Sequence, residues 1–99
     1  MSKELLLLAD VLAREKNVDK EIVLGALELA LASAAKKRFS EDVDIRASVD
    51  RVTGEFTFFR RWIVVNDRDI EVPAREYKLH EAVEIKPDSK VGEIGRAHV

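Results

Sequence analysis

The stretch Val43–Val65, VDIRASVDRVTGEFTFFRRWIVV, decides the fold. Val43, Ile45, Ala47 and Val49 alternate with Asp44, Arg46, Ser48 and Asp50, the period-2 pattern of a strand with one dry and one wet face. The chain reverses at Arg51-Val52-Thr53-Gly54, where Gly54 supplies the positive φ that a short bulged hairpin loop needs. From Glu55 the simple alternation breaks. Phe56, Phe58, Arg60, Trp62 and Val64 fall on one face, and Thr57, Phe59, Arg61, Ile63 and Val65 on the other. Both faces are largely apolar, and apolar surface left in water costs about 25 cal/mol per Å². The strand is therefore expected at the centre of its sheet, with other structure over each side. In a regular strand Arg60 and Arg61 point to opposite sides. Two uses of this pair stand side by side. Each arginine lays its stem along the aromatics and pairs with a carboxylate such as Glu41 or Asp50, or it takes part in binding.

Two helices precede the hairpin. Ser2 is placed to cap the first, in which Leu5, Leu8, Ala9 and Leu12 form an i, i+3, i+4, i+7 stripe toward a core. Leu6, Leu7 and Val11 widen that stripe. Four consecutive leucines cannot share one face, so at least one lies at its edge or on an exposed apolar patch. Asn17 is suited to a left-handed helix end, and Asp19 then caps the second helix, with Val18 and Val23 spaced as a hydrophobic staple. That helix is expected from Asp19 to about Phe39, burying Ile22, Val23, Ala26, Leu27, Ala30, Leu31 and Ala34. Its alanines, with Gly25 and Ser33, leave room for a sheet to approach closely. It ends in Lys36-Lys37-Arg38, where positive charge opposes the negative end of the helix dipole at about 0.3–1 kcal/mol per group. Three adjacent cations cannot all sit against the terminal carbonyls, so some of that charge projects outward.

After the hairpin, Asn66–Asp69 is a polar turn, Ile70–Val72 a short extended piece closed by Pro73, and Glu76–Leu79 another strand. His80–Ile85 reads as one or two helical turns ended by Pro87-Asp88, and Val91–Ile94 begins a last extended segment. The expected fold class is α+β: a helix pair packed on a small, mainly antiparallel β-sheet with a central hairpin at about 43–65.

Ninety-nine residues suffice for one domain and one core. There is no cysteine, hence no disulfide framework or thiol chemistry, and no apolar run long enough to cross a bilayer. With no signal-peptide pattern either, a cytoplasmic location is expected. A formal charge of −2 and a pI near 5.7 argue against a dedicated nucleic-acid binder. Charged residues make up 36% of the chain, as in an ordinary mixed-sign surface. The four glycines form no phosphate-cradling loop and no serine sits in a nucleophile elbow. His80, Glu81 and Glu84 have a superficial metal-ligand look, which a solvated helix face explains as well when no further ligand is evident. No catalytic residue, metal or cofactor is expected.

The order helix, helix with basic end, VDIRASVDR, Gly-containing turn, EFTFFRRWIVV resembles the N-terminal domain of the bacterial transcription elongation and termination factor NusA. The resemblance runs from Lys3 to about Glu93. Its most specific pieces are EIVLGALELALASAAKKRF and the pair D-R-x-T-G-E-F with F-R-R-W-I-V-V. Members of that family continue into further helices, an oligonucleotide-binding-fold domain and two KH domains. The expectation is thus a truncated head of the domain, with 1–39 the helical pair, 43–94 the sheet and short helix, and 95–99 a candidate non-native tail.

What the resemblance implies is a non-enzymatic module that docks on RNA polymerase, at the flap region of the β subunit beside the RNA exit channel, and modulates pausing and termination. Contact with the nascent RNA hairpin would be weak or indirect, and no membrane or small-molecule substrate is involved. Lys36, Lys37 and Arg38 are the candidate polymerase- or RNA-facing cluster. Arg60, Arg61 and Trp62 match the family's strand motif, with a structural role as an alternative to direct contact. The alternative function is a single-stranded RNA-binding module that stacks bases on the strand aromatics beside the arginines. A helix-turn-helix that enters DNA is set aside, because Leu24, Glu28 and Ala32 of the second helix offer nothing that reads bases.

Overall fold

The computed structural model describes residues 2–99. Helix α1 spans Ser2–Lys16 and closes at Asn17, whose φ of 52° is left-handed. Val18 N donates to Ala13 O at 3.0 Å and Asn17 N to Arg14 O at 3.3 Å, a Schellman closure that satisfies the last carbonyls. Asp19 then caps α2, Lys20–Lys36, by accepting a hydrogen bond from Glu21 N at 2.8 Å. The cap expected at Ser2 lies outside the described side chains. Helix α2 stops at Lys36, short of Phe39, in tight turns where Arg38 N reaches Ala35 O and Phe39 N reaches Lys36 O, both at 3.1 Å.

The buried face of α2 agrees with the expected one at Val23, Leu27 and Leu31 and differs from it elsewhere. Leu24 and Ala32 are buried, and Val23, Leu27, Leu31 and Ala35 pack beside them, while Ile22 is 63% and Leu29 70% exposed. Ala26, Ala30 and Ala34 are exposed as well. Apolar residues nearly encircle this helix, so periodicity alone admits several phases, and the sheet selects the one with small Ala32 and Ala35 against Val43 and Ile45. In α1 the centre of the buried face is Ala9 and Ala13, with Leu5 and Leu6 half-buried. Leu8, expected in the core stripe, is exposed together with Leu7 and Val11.

The hairpin forms where the alternation places it. Strand β1, Asp44–Val49, pairs antiparallel with β2, Phe56–Val65, in the register Ile45↔Arg60 and Ala47↔Phe58. Gly54 turns the chain at a φ of 76°, and Asp50 accepts from both Val52 N and Thr53 N at 2.8 Å. Strand β3, Glu76–Lys78, runs parallel to the end of β2, and β4, Ile94–His98, runs antiparallel to its middle. Arg61 pairs with both Asp44 and Arg96, and Ile63 with both Glu76 and Ile94. Strand β2 is therefore central, with β1 and β3 sharing one edge and β4 on the other. Between β2 and β3 lie two 3-10 turns, Asp67–Asp69 and Pro73–Arg75, and Ile70–Val72 does not enter the sheet. Helix α3, Leu79–Ile85, follows β3.

One face of the sheet is dry. Val43, Ile45, Val49, Ala74 and the half-buried Phe58 and Phe39 pack with α2, while Leu24, Ala9 and Val49 join the helix pair to the hairpin. The other face is not covered as expected. Its residues Arg46, Ser48, Thr57, Ile63 and Arg96 are exposed, with Phe59 and Arg61 half-buried.

Candidate functional site

The basic cluster sits where α2 gives way to the loop before β1. Lys36 Nζ lies 3.0 Å from Asp42, which also meets Arg75 at 3.4 Å. The hydrogen bond from Lys36, with the Arg75 charge behind it, holds the Asp42 carboxyl below its usual range. Lys37 and Arg38 are exposed and make no ion pair among the described residues. Arg38 borders a groove of about 510 Å³ formed with Phe39, Phe56 and Phe58. The three cations are thus adjacent in space as in sequence, and the fold leaves two of them free.

The strand motif divides between the two faces. Arg60 lies on the dry side, donates to Ala74 O at 2.7 Å, and sets its guanidinium 4.8 Å from the Trp62 ring centroid. Its Nε is buried without a partner. Arg61 lies on the open side and reaches Asp44 at 3.2 Å. Neither arginine pairs with Glu41 or Asp50, because Asp50 is engaged by the turn amides and the Ala74 carbonyl folds back over Arg60. Arg60 and Trp62 together brace the segment from β2 to Ala74. Trp62 also floors a cleft of about 400 Å³ with Tyr77, Ala82 and Ile85.

A further cation carries more of the structure than any of these. Arg51, in the hairpin turn, donates to Glu21 through Nε and Nη2 at 3.0 Å, to Glu28 through Nη1 at 3.0 Å, and to its own strand at Val49 O at 2.7 Å. Glu28 in turn accepts from Val49 N at 2.9 Å. The hairpin is fastened to α2 at this point. The available signal was Glu21 and Glu28, seven residues apart on one side of an otherwise apolar helix.

His80 does not assemble a metal site with Glu81 and Glu84. Its ring Nδ1 and its backbone N both bond Asp67, from the turn after β2, which caps the start of α3. No group of three or more His, Asp or Glu side chains among the described residues is placed to hold a metal ion. No helix among the described residues is long and apolar enough to cross a membrane.

The carboxylates in the hairpin and against it make stability depend on acid. Burial raises the pKa of Glu28 and of Asp44, but the hydrogen bonds and charges of Arg51 on the first, and of Arg46 and Arg61 on the second, outweigh it. Both carboxyls titrate below their ordinary values, as does Asp50 under the pull of the Thr53 and Val52 amides. A depressed folded pKa contributes stability that is present above the unfolded value, about pH 4, and is lost as pH falls through the folded one. Thermal unfolding followed by circular dichroism is expected to give a flat midpoint from pH 7 to about 5 and a steady fall below about 4. A midpoint unchanged down to about pH 3 would contradict these pairings.

The family model described as the NusA N-terminal domain matches residues 4–99. This chain belongs to that family. It is 34% identical over 90 residues to the transcription termination/antitermination protein NusA of Rickettsia conorii, covering 91% of this chain and 18% of that protein. It is 36% identical over 94 residues to the NusA protein of Bacillus subtilis, covering 95% of this chain and 25% of the relative. The chain therefore spans no more than a quarter of these curated relatives. The solution structure of the N-terminal domain of NusA from B. subtilis superposes with a TM-score of 0.74 at 35% identity, covering 100% of this chain and 78% of that one. The helix pair on a mainly antiparallel sheet is accordingly the fold of the NusA N-terminal domain. The match continues through the last five residues, four of which lie in β4.

Proposed function

We propose that this NusA-type domain is the polymerase-docking module of a transcription termination/antitermination factor, seated beside the flap that borders the RNA exit channel and modulating pausing and termination from there. The observation that carries the reading is the solvent side of the helix pair. Leu7, Leu8 and Val11 on α1 and Ile22 and Leu29 on α2 are exposed, an apolar load beyond the single exposed side chains usual on a free surface and in keeping with a protein contact. Lys37 and Arg38 extend α2 with positive charge that has no ion pair among the described residues and suits RNA or an acidic polymerase surface. Arg60 and Trp62 act as bracing.

Titration of the isotope-labelled domain with an isolated polymerase flap segment is expected to shift amides of α1 and α2, and an unperturbed spectrum at saturating segment rejects the docking. Reversing Lys37 and Arg38 to glutamate in the full-length factor is expected to reduce hairpin-dependent pause enhancement. As surface changes, the two substitutions should alter the stability of the domain by no more than about 0.5 kcal/mol. A large loss of stability would instead assign these cations a structural role.

A further inference from the structure

We infer that the open face of the sheet is a second contact surface, a platform for single-stranded RNA, built from residues distinct from those proposed to meet the polymerase. The register sets two rows across three strands. Asp44, Arg61 and Arg96 lie side by side, and next to them Arg46, Phe59 and His98. The Arg96 guanidinium lies 5.7 Å from the Phe59 ring centroid, and the His98 ring meets the same phenyl edge-on at 5.0 Å. Three planar groups are thus gathered at one spot, two of them exposed. Every base has a π-face, so such a cluster stacks bases without regard to sequence.

Charge points to the same occupant. Arg46 and Arg61 share the single carboxylate of Asp44, at 3.0 and 3.2 Å, and Arg96 has no ion pair among the described residues. In these two rows three arginines stand against one aspartate, while Glu76 and Lys78, opposite Ile63 and Val65 further along the same face, offset each other. The rows are locally positive on a chain of formal charge −2, which suits a short stretch of phosphate backbone. A protein partner would call for a free apolar anchor; Phe59 is flanked by Arg96 and His98, and the remaining apolar side chains of this face, Ile63, Val65 and Ile94, stand at its far end. Exposed hydroxyls of Ser48 and Thr57, directly opposite each other, border the aromatic row and are placed to bond ribose 2′-OH groups, which favours RNA over DNA. The aromatics and Arg60 of the dry side take no part, since Phe58 packs in the core and Trp62 lies under Arg60.

The test uses fluorescence anisotropy of the 99-residue domain with labelled oligouridine of about 12 nucleotides, within the usual reach of a sheet-sized binding surface. Combined Arg46→Gln and Arg96→Gln is expected to weaken binding at least fivefold and to lower the slope of log K against log salt by about 1.4, roughly 0.7 for each phosphate no longer neutralised. Amide shifts on RNA addition should cluster at β1, β2 and β4. Phe59→Leu keeps an apolar side chain but removes the ring, and should weaken binding while lowering the salt slope little. Combined Lys37→Gln and Arg38→Gln should leave oligouridine binding near its starting value. This arm separates the platform from the docking surface: a domain that binds oligouridine but shows no binding to the polymerase flap segment without any substitution would fail the docking reading alone. The platform is rejected if oligouridine does not bind, if only the Lys37 and Arg38 change weakens it, or if polyglutamate or oligodeoxythymidine competes as strongly as RNA.

Discussion

Replacing Leu24 with alanine is expected to lower the free energy of unfolding by about 2–5 kcal/mol, the range for truncating a buried leucine. Leu24 is 1% exposed and joins Ala9 of α1 to Val49 of β1, with Leu5, Leu6, Val23, Leu27 and Leu31 around it. It thus touches both helices and the hairpin, and its closest buried partner on α1 is an alanine that cannot extend into a cavity. Unfolding free energies of small domains are about 5–15 kcal/mol, so the loss is a large share of the total. Leu29→Ala provides the internal comparison. Leu29 is 70% exposed, and its truncation is expected within about 0.5 kcal/mol. Urea unfolding followed by Trp62 fluorescence measures both. Equal losses at the two positions would mean that α2 faces the sheet with a different side.

The contrast between Leu24 and Leu29 also marks where sequence ceases to determine structure. The hairpin, the reversal at Gly54, the left-handed Asn17 and the cap at Asp19 were all legible, because each depends on residues close to one another along the chain. The phase of α2 depends instead on a strand from beyond the helix. Leucine and alanine alone could not distinguish the stripe Leu24, Leu31, Ala35 from the stripe Ile22, Ala26, Ala30. Glu21 and Glu28 mark the correct side only once Arg51 and the Val49 amide are known to need carboxylates there. The same limit applies to the cations. Their clustering at Lys36–Arg38 is local and was readable, whereas Asp42 taking Lys36 but not Lys37 depends on how the loop to β1 folds back. Strand geometry correctly divides Arg60 and Arg61 between two faces. Their partners, a carbonyl from the weakly patterned segment at Ala74 and a carboxylate one strand away, come from tertiary structure. The open side of β2 looks apolar in one dimension. Its Arg61, together with Arg46 and Arg96 from the neighbouring strands, makes it a polar face only once three strands lie side by side.

Glu28→Ala is expected to cost about 1–3 kcal/mol, although Glu28 is a charged residue near the surface, because it strands a hydrogen-bond donor at the buried Val49. The carboxylate has two separable roles. It accepts from Val49 N at 2.9 Å, an amide on the edge of β1, and it holds one arm of Arg51, whose other arm is held by Glu21. Glu28→Gln separates them. The amide oxygen still accepts from Val49, while the charge is gone, so only the ion pair is lost, about 0.2–1 kcal/mol for a partly exposed pair with Glu21 still in place. Two further outcomes follow from the sign of the titration. Since Glu28 carries a depressed pKa in the folded chain, its contribution disappears as pH falls through that value. The difference between wild type and Glu28→Gln should therefore be fully present at pH 7 and shrink toward zero below about pH 4, while Glu28→Ala remains less stable than Glu28→Gln at every pH. Chemical unfolding at about pH 7 and about pH 3 measures all of these. Glutamine and alanine variants of equal stability at neutral pH would show that the Val49 bond contributes nothing and that charge alone ties the hairpin to α2.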